Sequence, residues 1–341
     1  MINRVILSVD AMGGDHGPRV TLPASLSALS RYPDLSIRLH AELDVLQPIL
    51  DKLSLSDELL SRLEIVASGA SVAMDEKPSS AVRHRQDSSM SQAIKCVAQG
   101  RAHACVSAGN TGALMAFGRQ QLKMLPGIDR PAIITSVPTS GGHCYMLDLG
   151  ANVDSSAEHL LQFAIMGSVL AEAVDDIKSP AVALLNNGEE VIKGNEQVRL
   201  ANELIAANNS INYIGYVEGG GVFSGRADVV VCDGFVGNVA LKSNEGLAKL
   251  IGRKVRRSFM KNMYCRLVAM LAAPILREIE EEMDPSRRNG ATLIGLQGIV
   301  LKSHGSANAK CFGYALDQAV IEVRKNVPEL IAERLKSYRK Y

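Results

Sequence analysis

Short β-branched runs alternating with longer stretches of helical period predict a three-layer α/β/α, Rossmann-like fold on a mainly parallel sheet. Two further observations agree with this. The glycines gather where a predicted strand hands over to a helix, and no stretch reads as a linker or fixed-period repeat. Residues 1–341 therefore read as one catalytic domain, with a helical hairpin over 242–284.

Strands are expected near 5–10, 36–40, 63–67, 104–107, 132–137, 145–148, 181–185, 212–216, 229–232 and 299–302. Helices are expected over 20–30, 81–98, 113–124, 156–174, 189–207, 238–263, 275–283, 307–325 and 328–338. From Lys242 the period of two vanishes, and Leu247, Ile251, Val255, Phe259 and Met263 recur every fourth residue. That drifting apolar stripe suits a crossing helix. Pro274 opens a second helix carrying Ile275, Leu276, Ile279 and Met283, which makes a hairpin for dimerisation. Between them Leu267 to Ala273 is apolar all round, so it is either core or a tip entering a membrane surface.

Composition excludes several classes. With 47% hydrophobic and 21% charged residues the chain is not disordered. A net charge of +1 offers no global field for nucleic acid, and 4% aromatic content without Trp leaves few stacking platforms. The 6 cysteines form no C-x-x-C, as expected of reduced thiols in a cytosolic protein. The start, Met1 to Asp10, turns acidic too soon for a signal peptide, and the apolar run 267–276 contains Pro274 and is too short to span a bilayer. A cytoplasmic protein is expected, with peripheral membrane contact at most. The only dense basic run, Arg253, Lys254, Arg256, Arg257, Lys261 and Arg266, is either a solvated face balanced by Glu278 and Glu280–Glu282 or a landing patch for an acidic protein or anionic lipid.

The strand-to-helix junctions carry the chemistry. They are Asp10-Ala11-Met12-Gly13-Gly14-Asp15, Gly109-Asn110-Thr111-Gly112, Asp148-Leu149-Gly150-Ala151-Asn152, Asn187-Gly188-Glu189-Glu190, and Asp233-Gly234-Phe235-Val236-Gly237-Asn238. In a parallel sheet these share the carboxyl edge, where open α/β sheets bind ligands and helix starts receive phosphate. Lys77, Arg83, Lys193 and Lys242 stand near these turns, and His304-Gly305-Ser306 closes the last strand. Asp10, Asp15, Asp148, Glu189 and Asp233 would repel an anion, so they orient lysines, cap helices or neutralise charge. The nucleotide fingerprints are absent, and the 7 histidines lack metal-ligand spacing.

These phrases, in this order, closely resemble the bacterial phosphate acyltransferases of phospholipid synthesis, the PlsX family, over about residues 4–325. The resemblance implies transfer of a long-chain acyl group from acyl carrier protein to inorganic phosphate, without cofactor, by a homodimer. Its acyl phosphate product serves a glycerol 3-phosphate acyltransferase in the membrane. Two departures stand out: Asn187, where a small or aliphatic residue is usual, and Thr292 in Asn289-Gly290-Ala291-Thr292, where the family has proline. The chemistry is consistent with the residues: phosphate is already an anionic nucleophile, and a thiol of pKa about 8.5 leaves readily. What remains is holding phosphate, assigned to Lys77, Arg83, Lys193 and Lys242, and stabilising an oxyanion, assigned to His304, Asn110 or backbone amides. Asp10, Gly13, Gly14, Asp15, Thr111, Gly112, Asp148, Asn152, Glu189, Asp233, Gly234, Asn238 and Ser306 complete the expected substrate site. A phosphotransacetylase-like enzyme using coenzyme A thioesters would carry a similar phosphate site, and a non-catalytic acyl-binding dimer would need no such polar edge.

Overall fold

The computed structural model of the chain describes residues 4–276 and 289–338. Its strands are β1 (Val5–Asp10), β2 (Leu35–Ala41), β3 (Leu63–Ala67), β4 (Ala104–Ser107), β5 (Ala132–Thr139), β6 (Gly142–Leu147), β7 (Ala181–Leu185), β8 (Asn212–Val217), β9 (Val229–Val231), β10 (Ala291–Ile294) and β11 (Ile299–Lys302). The helices are α1 (Pro18–Arg31), α2 (Leu43–Leu50), α3 (Asp57–Leu60), α4 (Pro78–His84), α5 (Ser89–Ala98), α6 (Thr111–Leu122), α7 (Ala157–Asp175), α8 (Glu196–Ala206), α9 (Gly234–Phe259), α10 (Met263–Leu271), α11 (Ala309–Lys325) and α12 (Val327–Tyr338). The strands join in one 11-stranded sheet of order β3-β2-β1-β4-β11-β10-β5-β6-β9-β7-β8.

Period-two alternation in the strands builds the layers. In β1, Val5, Leu7 and Val9 face α1 and α11, whereas Ile6 faces α5 and α6. In β6, Tyr145 and Leu147 face α7 and α12, while Cys144 and Met146 face the other side. Helix α11 answers with Phe312, Leu316, Val320 and Val323, all buried along one stripe. Helix starts are set by side-chain caps: Ser88 on α5, Asn110 on α6, Ser156 with His159 in a capping box on α7, Asn195 on α8, Asp233 on α9 and Asn308 on α11.

The sheet is not parallel throughout. Strands β1, β2, β3, β4 and β11 run together, but β10 is antiparallel to both β11 and β5, and β5 is antiparallel to β6. The strands β6, β9, β7 and β8 are again mutually parallel. Following these pairings, β6, β7 and β9 point opposite to β1, β4 and β11 along the sheet. The single carboxyl edge expected for all five junctions is therefore two edges. The reversal lies at the β5–β6 pairing, since β10, antiparallel to both β11 and β5, leaves those two running the same way; the short β10, bounded by Gly290 and Gly295 at φ +126 and +99, carries no alternation long enough to be read in sequence.

Other elements depart locally. The helix expected over 81–98 is two, because the chain turns at Arg85 and restarts on the Ser88 cap. The helix expected from 189 starts only at Glu196, since Gly194 takes φ +92 and Asn195 caps it. Residues 267–271 lie within α10, which Asn262 caps, rather than in a link before Pro274. Of the stretch expected as a second hairpin helix, residues 277–283, with Ile279, Met283 and Glu278–Glu282, lie outside the described residues.

Thr292, the proline departure, sits inside β10 and donates its hydroxyl to Glu322 Oε1 on α11 at 2.5 Å, an oxygen that also accepts from Gln318 Nε2 at 3.0 Å. Burial lifts the Glu322 carboxyl from 4.5 to about 7, the two hydrogen bonds acting the other way. The unfolded chain releases this proton earlier than the folded one, so folding stability falls as pH rises from about 4.5 to about 7. Across that window the loss amounts to about 3 kcal/mol. Glu322→Gln is expected to gain up to about that much relative to the parent between pH ~4 and ~8. Urea unfolding of both proteins at the two pH values measures it, and a constant difference between them would refute the assignment.

Candidate active site

The ends of β1, β4 and β11 meet around one buried carboxylate. Asp10 is 1% exposed; its Oδ1 accepts from Ser89 Oγ at 2.5 Å and its Oδ2 from Ser107 Oγ at 2.6 Å. The amides of Met12 and Gly13 also bond it, and burial nevertheless raises its pKa above the usual carboxylate range. Gly13 is obligatory here: a Cβ would lie 2.6 Å from Asp10 Oδ2 and 2.7 Å from the Gly109 nitrogen. The neighbouring Gly14 takes φ +85, and a Cβ there would meet the Gly305 carbonyl at 2.8 Å. Asp15 donates its amide to that same carbonyl at 2.9 Å. The Gly13–Gly14, Gly109 and His304–Gly305 turns are thus interlocked.

Lys302, the last residue of β11, is the functional candidate that sequence reasoning missed. Its ammonium bonds the carbonyls of Ala108, at 3.2 Å, and Ser303. Desolvation lowers its pKa to about 8; Lys242 adds to the drop, and Asp10 and Asp15 oppose it. The available signal was a lone cation closing the apolar run Ile299-Val300-Leu301 two residues before His304.

His304 lies beyond it. Its Nδ1 accepts from the Ser306 amide at 3.3 Å and lies 2.9 Å from Ser306 Oγ, so the neutral ring carries its proton on Nε2. Desolvation, then Lys242, Lys302 and Lys249, hold its pKa below 6.5, while Glu245 acts in the other direction. Asn289 fastens the loop: its Oδ1 accepts from the His304 amide at 2.9 Å, and its Nδ2 donates to Ser303 Oγ at 2.7 Å and the Cys311 carbonyl at 2.8 Å.

Helix α6 begins at this edge. Asn110 Oδ1 accepts from the Ala113 amide at 3.0 Å, and its Nδ2 holds the carbonyls of Ala73, Met74 and Glu76. With its amide so engaged, Asn110 builds the turn rather than offering an oxyanion donor. Among the described residues no acceptor meets the amides of Thr111 and Gly112, which leaves the positive helix end open. Pro78 packs on Gly112, so exposed Lys77 stands beside that helix start, while Arg83 sits exposed in the last turn of α4.

The second edge is built differently. Asp148 accepts from the amides of Ile133, Ala151 and Asn152 and from Asn152 Nδ2, all between 2.8 and 2.9 Å, and Asn152 Nδ2 also bonds the Pro131 carbonyl. Gly234 and Gly237 pack against Asp148, where a Cβ on Gly237 would sit 1.9 Å from its carbonyl oxygen. Asn238 lies beside Gly150, and Asp233 caps α9 through Phe235 N. Asp148 and Asn152 satisfy each other and the backbone, so this junction anchors α9. Glu189 pairs with Arg226 at 2.8 Å on the surface, and Lys193 lies exposed in the turn before α8. From β4 to β7 is six strand spacings, about 29 Å at 4.8 Å each. Lys193 and Glu189 are therefore separated from the Asp10 cluster. Lys242 is not: α9 carries it back to within electrostatic reach of Lys302 and His304, with Glu245 at 2.9 Å as its partner.

Comparison with known proteins adds the lineage. A family described as fatty acid synthesis protein matches residues 5–330. A phosphate acyltransferase of Alkalilimnicola ehrlichii is 54% identical over 337 residues, covering 99% of this chain and 98% of that protein. Its counterpart in Nitrosococcus oceani is 52% identical over 334 residues, covering 98% and 97%. Among solved structures, a phosphotransacetylase from Streptococcus pyogenes superposes with TM-score 0.61 at 17% identity, covering 95% of each chain, and the EutD phosphotransacetylase from Staphylococcus aureus with TM-score 0.60, also at 17%, covering 94% of each. Those two likenesses establish the α/β architecture, and the far closer sequence matches establish that this chain belongs to the fatty acid synthesis protein family.

Proposed function

We propose that the chain is a phosphate acyltransferase, moving a long-chain acyl group from acyl carrier protein to inorganic phosphate. The observation that carries this reading is Lys302, a nearly enclosed cation amid glycine turns, beside the open amides of α6 and a neutral histidine. Phosphate sits against Lys302, Lys242 and the Thr111 and Gly112 amides, with Lys77 at the rim. A phosphate oxygen attacks the thioester carbon, the C–O bond forms, and the carbonyl electron pair moves to oxygen. His304 Nε2–H donates to that oxyanion. As it collapses, the C–S bond breaks and the thiolate departs with its electrons, taking a proton from solvent. No residue becomes acylated. The buried carboxylates hold turns and lysines in place, and Asp10 keeps Lys302 charged.

The hairpin supplies the partners. Helix α9 exposes Leu247, Leu250, Ile251 and Val255, and α10 exposes Met263, Met270 and Leu271, at 85%, 67% and 73% for the last three. Solitary exposed leucines are ordinary, but a contiguous apolar face indicates association. The α9 stripe pairs with a second copy, and the α10 face with its neighbouring basic run meets an anionic membrane, where the downstream glycerol 3-phosphate acyltransferase takes the acyl phosphate. Among the described residues no helix is long and apolar enough to cross a membrane.

Mixing the protein with acyl carrier protein thioester and phosphate should release thiol only when phosphate is present and yield a hydroxylamine-trappable acyl product; phosphate-independent release would refute the reading. Lys302→Met should lower kcat/KM roughly 100-fold, the scale of losing one charge-stabilising donor. The parent's rate should decline as pH rises through about 8, where Lys302 loses its proton, and the residual activity of the variant should lack that limb. Ile251→Glu should yield monomers in light scattering. Leu271→Asp should weaken binding to vesicles containing phosphatidylglycerol while leaving the dimer intact, and unchanged vesicle binding would remove the membrane role.

A further inference from the structure

A cavity of about 790 Å³ opens between β5, β6, α7 and α11, on the sheet face away from α6. It adjoins the catalytic edge through one shared side chain, since Asn289 lines the cavity and also holds the His304 amide. On the floor lies Glu322, 0% exposed, with Oε1 bonded to Thr292 and Gln318. Its Oε2 has no hydrogen-bond partner among the described residues. A buried carboxylate oxygen without a donor is costly, and the polar space beside it is where a donor from outside would be placed.

The lining defines the class of occupant. Ser136 and Gln318 offer polar groups, Ile134, Leu170, Val174 and Ile321 supply apolar surface, and the His143–Asp175 pair, 2.9 Å apart, closes another side. So mixed a wall does not suit an unbroken alkyl chain, whose transfer from water is driven by apolar burial. Asp175, with Glu322 above about pH 7, discourages an anion. What fits is a neutral chain that donates N–H groups and ends at the His304 loop. We propose that this cavity receives the amide-bearing pantetheine arm of the thioester donor, an amide N–H bonding Glu322 Oε2 and the sulfur lying toward His304. The assignment rests on the acyl-transfer reading for its choice of ligand, and it directs the acyl chain elsewhere.

Saturation-transfer NMR on the full-length chain with reduced pantetheine tests this without turnover. Transfer to the arm's methylene and pantoyl methyl protons is expected. Glu322→Ala, which removes the acceptor, and Ser136→Phe, which fills the cavity from β5, should each weaken binding roughly tenfold, the scale of one hydrogen bond to a charged group. Melting curves identify which variants are folded, and either alone suffices. Absence of transfer in the parent, or undiminished transfer in a folded variant, overturns the assignment. Pantetheine binding without phosphate-dependent acyl transfer would instead defeat the catalytic reading and leave this cavity as a binding site.

Discussion

A carboxylate removed from water must be surrounded by donors, and Asp10 imposes that requirement on everything around it. Two serines from different segments, Ser89 at the start of α5 and Ser107 at the end of β4, must reach it, and the Met12 and Gly13 amides must turn back toward it. The turn closes only because residue 13 lacks a Cβ. Once the first turn is so held, the Gly109 and Gly305 turns have one way to pack against it. Lys302 is then enclosed, with its charge supported by Asp10 and Asp15.

The second constraint is direction. Because β5 pairs antiparallel with β6, the two parallel halves of the sheet point opposite ways. A glycine junction is therefore not a site merely by being at a strand's carboxyl end. At the second edge, Asp148 and Asn152 consume their own hydrogen-bonding capacity and seat the first turn of α9. That helix returns Lys242 to the first edge. One edge thus anchors and the other gathers positive charge.

Much of the fold was legible because its physics is local. The alternation in Val5-Ile6-Leu7-Ser8-Val9, the Asn110 and Ser156 caps and the stripe on α11 follow from neighbouring residues alone. Where the expectation erred, the deciding interaction was distant or brief. Gly194 and Asn195 delay α8, the Ser88 cap splits a helix, and β10 is a four-residue strand one of whose partners, β5, lies far off in sequence. The site divides the same way. Asp10, Gly13, Gly14, His304 and Lys242 converge, Lys193 and Glu189 do not, and Lys302 is distinguished from other lysines only by what buries it.

The sequence by itself determined the element types, the glycine-rich turns, the family and the residues able to hold an anion, since each depends on side-chain identity and short-range spacing. Tertiary structure alone decided which turns share an edge, which cation loses its water and which buried carboxylate lacks a donor. Those outcomes depend on strand direction and burial, which arise when segments far apart in the chain meet.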